Sequence, residues 1–404
     1  MPRQEPRIPA WIHFGTGLIL IFIAALVSYR LHHTGFGRHL EMVNLDAWFR
    51  GGQTVVDPDV VVVQIADADY HDKNEPFQHA CPLPVAGVTA LIRAVALSAP
   101  KVIVVDLDTA DWPPGQRAAA LADADSALGK LGFAQPSVAW AIGGAQETGG
   151  GGHDTGTLNA EQIKDDPVSC FGVPAAIPDS DGVVRGYLPY LLQQQPPKTV
   201  LIPSLAVAAS QLSKGRGCTS DVQPQAGEQT PADDLVDYSG GPERFLHLTA
   251  GTVLGAADSP AWQNSNPLKS EIAIIGGSFQ EGRDRYVTPV GYINGIDILA
   301  SAVATALKGG VREPSRDKFI LVDVLVGMFL VTGGYFLHRY WLLAISFIAI
   351  PFVAFGASFL VFAGTRYFMS FIPVVAAVFL HHLIEHAVEH WRMQRELREL
   401  RARG

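Results

Sequence analysis

The chain has 404 residues, of which 48% are hydrophobic and 17% charged, with a formal net charge of −9. The charged fraction is below the roughly 25% typical of soluble proteins, so part of the chain is expected to lie in lipid. The acidic balance excludes nucleic acid as a partner, because neutralising phosphates requires a basic surface.

Four apolar segments are long enough to cross a bilayer, which takes roughly 17–25 residues. They predict transmembrane helices at residues 11–30, 319–337, 341–364 and 367–387. The first is interpreted as a retained anchor, because its apolar part is longer than that of a cleaved signal sequence and it lacks a good A-x-A site. The short connections after the second and third spans force the last three helices into antiparallel hairpins.

Arginine placement predicts the orientation of the chain, since cytoplasmic flanks collect Lys and Arg. Arg3 and Arg7 lie in the segment 1–10, and five arginines lie in the tail 388–404, which predicts a basic helix. Four spans put both termini on the same side of the membrane. The termini are therefore expected in the cytoplasm, and the long block between the first two spans is expected outside it.

This outer block predicts an α/β domain. The β-branched runs VVVVQIAD (60–67) and KVIVVDLD (101–108) predict strands, and PVAGVTALIRAVALSA (84–99) between them has the apolar spacing of a helix. Strand, helix and strand form a βαβ unit, whose strands are parallel and whose functional groups usually lie at the carboxyl ends of the strands.

Further elements follow along the block. Strands are predicted at 138–144, 244–248 and 271–277, and helices at 201–210 and 295–309. Residues 146–157 and 213–234 predict loops, because they are rich in Gly, Pro and small polar residues. The expected fold is an α/β extracytoplasmic domain with a mixed, mostly parallel sheet, joined to four transmembrane α-helices.

The order VVVVQIADAD, KVIVVDLD, DSDGVVRGYLP and EIAIIGGSFQEGRDRYVTPVGYINGIDILASAVATAL resembles CHASE2, an extracytoplasmic sensory domain of bacterial receptors. The resemblance covers residues 41–310. In that family one transmembrane helix precedes the domain and three follow it, in agreement with the spans predicted from hydropathy. The resemblance implies a multi-pass protein of the bacterial cytoplasmic (inner) membrane.

Individual motif residues can be placed through this resemblance. Asp67 and Asp69 fall at the acidic end of the first strand of the family, and Asp106 closes its second strand. The remaining matches, to D-G-x-x-R and to D-x-x-x-T-P with a later glycine, are Asp181, Gly182, Arg185, Asp284, Thr288, Pro289 and Gly295. The W-P-x-x-R stretch common in the family is absent, since this chain has CPLPVAG at 81–87.

The acidic strand ends suggest a ligand site. We expect carboxylates to gather at adjacent strand ends, where they can bind a cation or a polar ligand. The candidate residues are Asp67, Asp69, Asp106, Asp108, Arg185 and Asp284. A simpler interpretation is that the aspartates cap helices or pair with Arg185. The two motifs themselves predict a tight turn at 181–182 before a strand and a rigid turn at 288–289 before a helix.

Two stretches contain metal-ligand residue types. The first, ADADYHDKNEPFQHAC, contains Asp67, Asp69, His71, Asp72, Glu75, His79 and Cys81, but it lacks the fixed spacing of a zinc site and is interpreted as a solvated loop. The second is the tail, where His382, His386 and His390 share a helix face. These three are secondary candidates for a metal bound together with a partner.

The tail also reads H-x-x-E-H from His382 to His386, as in some zinc peptidases. A peptidase needs a third ligand further along the chain, and the residues that follow form a basic helix, so the match is interpreted as coincidence. Haem held by His13 and His382 is a further alternative. No cofactor is predicted.

Three cysteines, Cys81, Cys170 and Cys218, lie in the outer block, where a disulfide bond can form. One pair can form at a time, and the sequence leaves all three pairings open.

The sequence contains no G-x-S-x-G elbow, Walker A loop or H-E-x-x-H, so the chain is not predicted to be an enzyme. Receptors with a CHASE2 domain usually carry a kinase or cyclase after the last helix, whereas only residues 388–404 follow it here. We expect a sensory membrane protein that acts through an unknown partner protein. The alternatives are an accessory or scaffold subunit of a larger membrane complex, and the sensor half of a longer receptor kinase or cyclase.

Overall fold

The computed structural model describes part of the chain. The described residues are 35–51, 56–72, 76–80, 82–109, 112, 115–120, 122, 136–141, 170–174, 176–195, 198–217, 234–311, 352, 355–356, 358–362, 387, 390–391, 393–395 and 397–401. The chain divides into two compact units, Phe49–Val311 and a unit formed by Met1–Trp48 together with Arg312–Gly404.

The strands of the described residues are short. In chain order they are β1 (Val60–Ile65), β2 (Val102–Asp106), β3 (Ser137–Ala141), β4 (Cys170–Gly172), β5 (Ala176–Pro178), β6 (Val184–Tyr187), β7 (Tyr190–Gln195), β8 (Lys198–Pro203), β9 (Asp234–Leu235), β10 (Leu246–Thr249), β11 (Ile272–Gly277), β12 (Arg285–Thr288) and β13 (Gly291–Asn294).

The described residues also form helices. They are α1 (Gly35–Gly51), α2 (Asp67–His71), α3 (Val85–Leu97), α4 (Leu205–Ser213), α5 (Ala250–Ala256), α6 (Pro260–Asn264) and α7 (Gly295–Leu307), with 3₁₀ turns at Pro242–Arg244 and Gln280–Gly282.

Six strands form the main sheet in the order β10-β1-β11-β2-β3-β4, and every neighbouring pair is parallel. Antiparallel pairing occurs in the three smaller sheets, β5-β6-β9, β7-β8 and β12-β13. The predicted mixed α/β fold with a mostly parallel sheet is confirmed. The expectation that β1 and β2 would be adjacent is wrong, because β11 lies between them.

Helices cover both faces of this sheet, which explains the continuous apolar runs in its strands. On one face, Val61 and Val63 of β1 share a buried cluster with Leu91 of α3 and Val253 of α5. On the other face, α4 and α7 approach closely. A Cβ at Gly172 of β4 would lie 2.5 Å from the Cα of Leu205, and a Cβ at Gly276 of β11 would lie 2.9 Å from Ile296 Cδ1.

The connections leave the sheet in opposite directions at its centre. After β1 the chain passes to α3 on one face, whereas after β11 it passes through the β12–β13 hairpin to α7 on the other. In open α/β sheets, a crevice for ligands lies outside the carboxyl ends of strands where such a switch occurs. The carboxyl end of β11 is therefore the first place to look for a site.

Three local predictions need correction. The first predicted strand ends at Ile65 rather than Asp67, because Asp67 begins α2. The segment 201–210 is not all helix: β8 continues to Pro203, and α4 begins after Ser204, whose side chain accepts a hydrogen bond from the Val207 N–H. The turn at 288–289 leads into β13 rather than into a helix.

The predicted membrane spans fall largely outside the described residues. Spans 11–30 and 319–337 lie wholly outside, and only scattered positions of 341–364 and 367–387 lie inside. None of the helices described here combines the length and the hydrophobicity needed to cross a bilayer. The segment 1–10 and most of the predicted loops at 146–157 and 213–234 also lie outside.

In the unit that contains the chain termini, α1 contributes Trp48. Its buried ring lies 5.5 Å from that of Phe362 and 6.2 Å from that of Phe355. In the tail, residues 390–391, 393–395 and 397–401 are helical, and their apolar members Trp391, Met393, Leu397 and Leu400 are exposed.

Candidate functional site

Acidic residues follow the carboxyl ends of β1, β11 and β2, the three central strands of the main sheet. Asp67 and Asp69 lie just after β1, Asp284 follows β11, and Asp106 ends β2 with Asp108 exposed beyond it. The structure therefore brings the predicted aspartates to one edge of the sheet. Their surroundings divide them into groups with different roles.

Asp67 and Asp69 are engaged by backbone amides. The Gly251 N–H donates to Asp69 Oδ1 and the Ala66 N–H to its Oδ2, both at 2.9 Å. The Gln280 N–H donates to Asp67 Oδ1 at 2.8 Å. Charge-assisted bonds of this kind are strong, so the two carboxylates tie the start of α5 and the 3₁₀ turn after β11 to α2.

Asp106 and Asp284 have a different electrostatic environment. Burial raises the pKa of Asp106 from 3.8 to about 7, and repulsion by the Asp284 carboxylate adds to this rise. Burial also raises the pKa of Asp284. Asp106 as a whole residue keeps partial exposure, although protein atoms crowd its carboxyl group. Among the described residues, neither member of this carboxyl pair forms an ion pair with a cation.

Tyr286 and Gly295 complete the surroundings of the carboxyl pair. The Tyr286 hydroxyl donates to Asp284, which opposes the rise in the Asp284 pKa, and burial raises the pKa of the phenol to about 12. The Gly295 N–H donates to the Asp284 carbonyl at 2.9 Å. A Cβ on Gly295 would overlap the Asp284 carboxylate, so the absence of a side chain lets that carboxylate rest against the first turn of α7.

The T-P part of the same motif builds the hairpin between Asp284 and Gly295. Thr288 is buried, and its hydroxyl donates to the Gly291 carbonyl at 2.7 Å across the turn. Pro289 accepts a 2.7 Å hydrogen bond from Arg50 Nε through its carbonyl. These motif residues therefore position the carboxyl pair and the start of α7.

Arg185 belongs to a separate, charge-balanced cluster. It is only 3% exposed and contacts Asp179 and Asp181 at 2.9 Å each. The hydrogen bond from Arg185 lowers the pKa of Asp181 below its ordinary value. Gly182, with φ of +79°, closes the predicted tight turn, and β6 follows it. The D-G-x-x-R motif thus builds a turn locked by a buried arginine.

A histidine–aspartate pair lies at the edge strand. His247 Nε2 of β10 lies 2.7 Å from Asp297 Oδ1 in the first turn of α7. The hydrogen bond to Asp297 raises the pKa of His247. This contact fastens β10 to α7, and the sequence offered no sign of it because the two residues belong to distant segments.

His71, His79 and Glu281 form the group of potential metal ligands found in the described part of the chain. The sequence indicated His71 and His79 within a solvated loop, but α2 and a turn occupy much of that stretch, and Tyr70 and Phe77 there are buried. Of the tail candidates, His390 is exposed and lies 3.0 Å from the Gln394 side chain, and His382 and His386 lie outside the described residues.

Cys170 in β4 is disulfide-bonded. The chain contains two other cysteines, so its partner is Cys81 or Cys218, both of which lie outside the described residues.

The chain belongs to the CHASE2 family, because the model of the CHASE2 domain matches residues 18–335. CHASE2 is a family of sensory domains. No curated protein and no solved structure matches the chain.

Proposed function

We propose that this protein is a membrane-anchored sensor, whose CHASE2 domain receives a cue outside the cytoplasm and whose response passes to a partner protein. The observation that carries the proposal is the family match over residues 18–335. The protein would be the receiving component and would have no catalytic activity of its own.

The carboxyl pair is the proposed receiving site. Asp106 and Asp284 repel each other at the carboxyl end of β11, where the connections of the sheet diverge. A cation, or a ligand that donates hydrogen bonds, would relieve this repulsion and favour the ionised pair. Groups with raised pKa values in a crevice are candidates for function on these physical grounds.

Helix α7 offers a route from this site toward the membrane. It begins at Gly295 beside Asp284 and ends at Leu307, a length of about 20 Å at 1.5 Å per residue. The chain then leads to the predicted span that begins at residue 319. Because packed helices shift as rigid units, a displacement at Gly295 would be carried along α7 to the segment that precedes this span.

Two observations support the proposed location in the bacterial inner membrane, with the domain outside and both termini in the cytoplasm. The disulfide bond of Cys170 is typical of an oxidising compartment. Phe352, Phe355 and Leu360, within the predicted third span, have exposed apolar side chains of the kind that lipid would cover.

Complementation tests the receiving site. A host lacking the gene receives the wild type, Asp106→Asn, Asp284→Asn or Asp108→Asn, and its transcripts are compared by sequencing. We expect the wild type and Asp108→Asn, an exposed control on the same sheet edge, to restore the transcript profile, whereas the two crevice variants fail. Full restoration by correctly folded Asp106→Asn and Asp284→Asn would contradict the proposed site.

Affinity purification from native membranes, followed by mass spectrometry, tests the sensory role. If the protein is a sensor, the purification should recover a signalling protein. Deleting the gene of that partner should then cause the same transcript changes as deleting the gene of this protein. Recovery of an enzyme complex in fixed stoichiometry, without such transcript changes, would instead assign the accessory or scaffold role.

Mass spectrometry of the same material without reduction should find Cys170 linked to Cys81 or Cys218, and a free Cys170 thiol would contradict the proposed location outside the cytoplasm.

A further inference from the structure

Two histidines and a glutamate meet beside the carboxyl ends of β1 and β11. His71 is the last residue of α2, His79 ends a turn shortly after it, and Glu281 lies in the 3₁₀ turn that follows β11. They lie at the same switch in the sheet as the carboxyl pair, but on the β1 side of β11. The pairing of β1 with β11 brings the distant Glu281 to the two histidines.

A buried aromatic residue holds the two segments together. The ring of Tyr70 stacks on that of Phe279 at 4.3 Å and lies 5.0 Å from the ring of His79. The His79 N–H donates to the Tyr70 carbonyl at 2.9 Å, and Asp67 fixes the Gln280 amide. The histidines and Glu281 are exposed, but the backbone that carries them is anchored on both sides.

The backbone of the turn is strained to bring His79 into this position. Gln78 and His79 have φ of 51° and 55°, left-handed conformations that are costly for residues with a Cβ. Such strain persists only where the surrounding structure imposes it, and it concentrates at functional sites. Here it directs the imidazole of His79 toward that of His71.

The hydrogen bonds then fix which ring nitrogens face each other. His71 Nε2 lies 3.2 Å from Glu281 Oε1, so in the neutral ring this nitrogen carries the proton and donates to the carboxylate. His71 Nδ1 consequently presents a lone pair to His79 Nδ1, 2.8 Å away. His79 Nδ1 therefore carries the proton of this contact; a metal ion that binds both Nδ1 atoms takes the place of that proton, and the second ring then carries its proton on Nε2. The carboxylate orients the first ring as it does for many metal-binding histidines.

We propose that His71, His79 and Glu281 form a binding site for a divalent transition-metal ion of the zinc type. Each residue can offer one ligand atom, and these atoms lie within 4.8 Å of one another. Two imidazoles and a carboxylate suit zinc and its neighbours rather than magnesium or calcium. Zinc–nitrogen bonds of about 2.0–2.1 Å need the two Nδ1 atoms about 3.4 Å apart, which these exposed side chains reach by a small rotation.

With the two Nδ1 atoms as ligands and Glu281 holding the ring of His71, two positions of a tetrahedral ion stay open. Since the site faces solvent, water or an external ligand fills these positions. Metal binding by these three residues requires neither the sensory role nor the carboxyl pair.

Zinc titration of the full chain in detergent tests the site. Purified protein is stripped with a chelator and titrated with Zn²⁺ alone by calorimetry. We expect the wild type to bind one equivalent that His79→Ala lacks, and Glu281→Gln to weaken this equivalent by about 10–100-fold. Excess Ca²⁺ should not displace the Zn²⁺ bound to the wild type. Co²⁺ should give a visible absorption spectrum in the wild type that His79→Ala does not give.

The chain has 13 histidines, so the control must separate this site from the tail. The triple variant His382→Ala, His386→Ala and His390→Ala should keep the high-affinity equivalent. Each variant is first shown to unfold in urea at the wild-type midpoint without metal, and His79→Gln replaces His79→Ala if the latter misfolds. Equal stoichiometry and affinity in the wild type, the position-79 variant and Glu281→Gln would overturn the proposal, as would loss of the equivalent in the tail variant.

Discussion

Two acidic clusters of this protein contain residues matched to motifs of the same family. In one cluster a cation neutralises the carboxylates, whereas in the other, two carboxyl groups repel each other. Around Arg185, a buried cation holds Asp179 and Asp181, and the pKa of Asp181 is lowered. Beyond the carboxyl ends of β2 and β11, burial raises the pKa of both Asp106 and Asp284, and repulsion by Asp284 adds to the rise at Asp106. The first arrangement stabilises a turn, whereas the second disfavours the ionised state of its carboxyl groups.

This difference shows how motif residues can be divided by their electrostatics. A carboxylate whose charge is already neutralised by an arginine has little to gain from a ligand. A carboxylate held against another carboxylate gains from any cation or donor that arrives. Residues of both kinds can identify a family, but only the second kind supports the receiving site that we propose.

Removing the cation from the balanced cluster should have the largest effect. In Arg185→Met we expect a loss of about 3 kcal/mol in the free energy of unfolding, at the low end for breaking a buried ion pair because both carboxylates reach water. Urea denaturation of the full chain in detergent measures it. The exposed Arg285→Met is the control and should change stability by less than about 0.5 kcal/mol. Similar losses of stability in Arg185→Met and Arg285→Met would show that the buried cation does not stabilise the cluster.

A side chain at the start of α7 should disturb the repulsive pair. In Gly295→Ala the new Cβ displaces the Asp284 carboxylate, and we expect a loss of about 2 kcal/mol in stability. Moving Asp284 should also lower the pKa of Asp106. The matched control is Gly255→Ala in α5, where a Cβ meets nothing within 4 Å and should not destabilise. Equal stability of both variants would show that Asp284 does not need this space.

Neutralising Asp106 should show how much its ionised carboxylate lowers the free energy of unfolding. Because the folded pKa of Asp106 is raised, its contribution to stability is fully present below pH 3.8 and is lost as pH rises through about 7. The full difference corresponds to about 4 kcal/mol, and partial exposure reduces our expectation to about 1–2 kcal/mol.

Asp106→Asn should therefore be more stable than the wild type at pH 8 and nearly equal to it at pH 4. Urea midpoints measured across this range give the comparison, with Asp108→Asn as the exposed control. A destabilised Asp106→Asn at pH 8 would mean that the ionised Asp106 is stabilised by its surroundings, contrary to the contrast between the clusters.

The balanced cluster should show the opposite dependence on pH, with a smaller amplitude. The lowered pKa of Asp181 means that its contribution is present above pH 3.8 and is lost as pH falls through the lower folded value. For a partly exposed pair we expect Asp181→Asn to lose about 0.5–1 kcal/mol at pH 7. The difference from the wild type should vanish in strong acid, and a constant difference at all pH values would rule out this electrostatic origin.

The elements predicted well from the sequence were those whose apolar pattern is local. The runs that became β1, β2 and β11 and the periodic segments of α3 and α7 each carry enough buried residues to identify themselves. The last three residues of β8 were assigned to a helix, because its apolar residues run directly into those of α4 and only Ser204 marks the boundary.

The candidate site could be predicted only in part. Asp106 and Asp284 were both indicated by motifs, but their proximity depends on β11 inserting between β1 and β2, a long-range pairing that no local pattern encodes. For the same reason Glu281 received no attention, although His71 and His79 did. Tyr286 was missed because a tyrosine on a short hairpin gives no signal until its carboxylate partner is placed.

The position of β11 also determines when the domain can fold. Within the described residues, β1 pairs with β10 and β11, which come much later in the chain. Strand β11 lies between β1 and β2 and pairs with both. During synthesis, β1 to β4 emerge before either partner of β1 exists. Strands β2, β3 and β4 can pair with one another, but the facing edges of β1 and β2 stay uncovered until β11 has been made up to Gly277. Such non-local pairing slows folding and exposes the nascent chain to aggregation. We therefore expect chains truncated before Gly277 to aggregate rather than form a smaller fold.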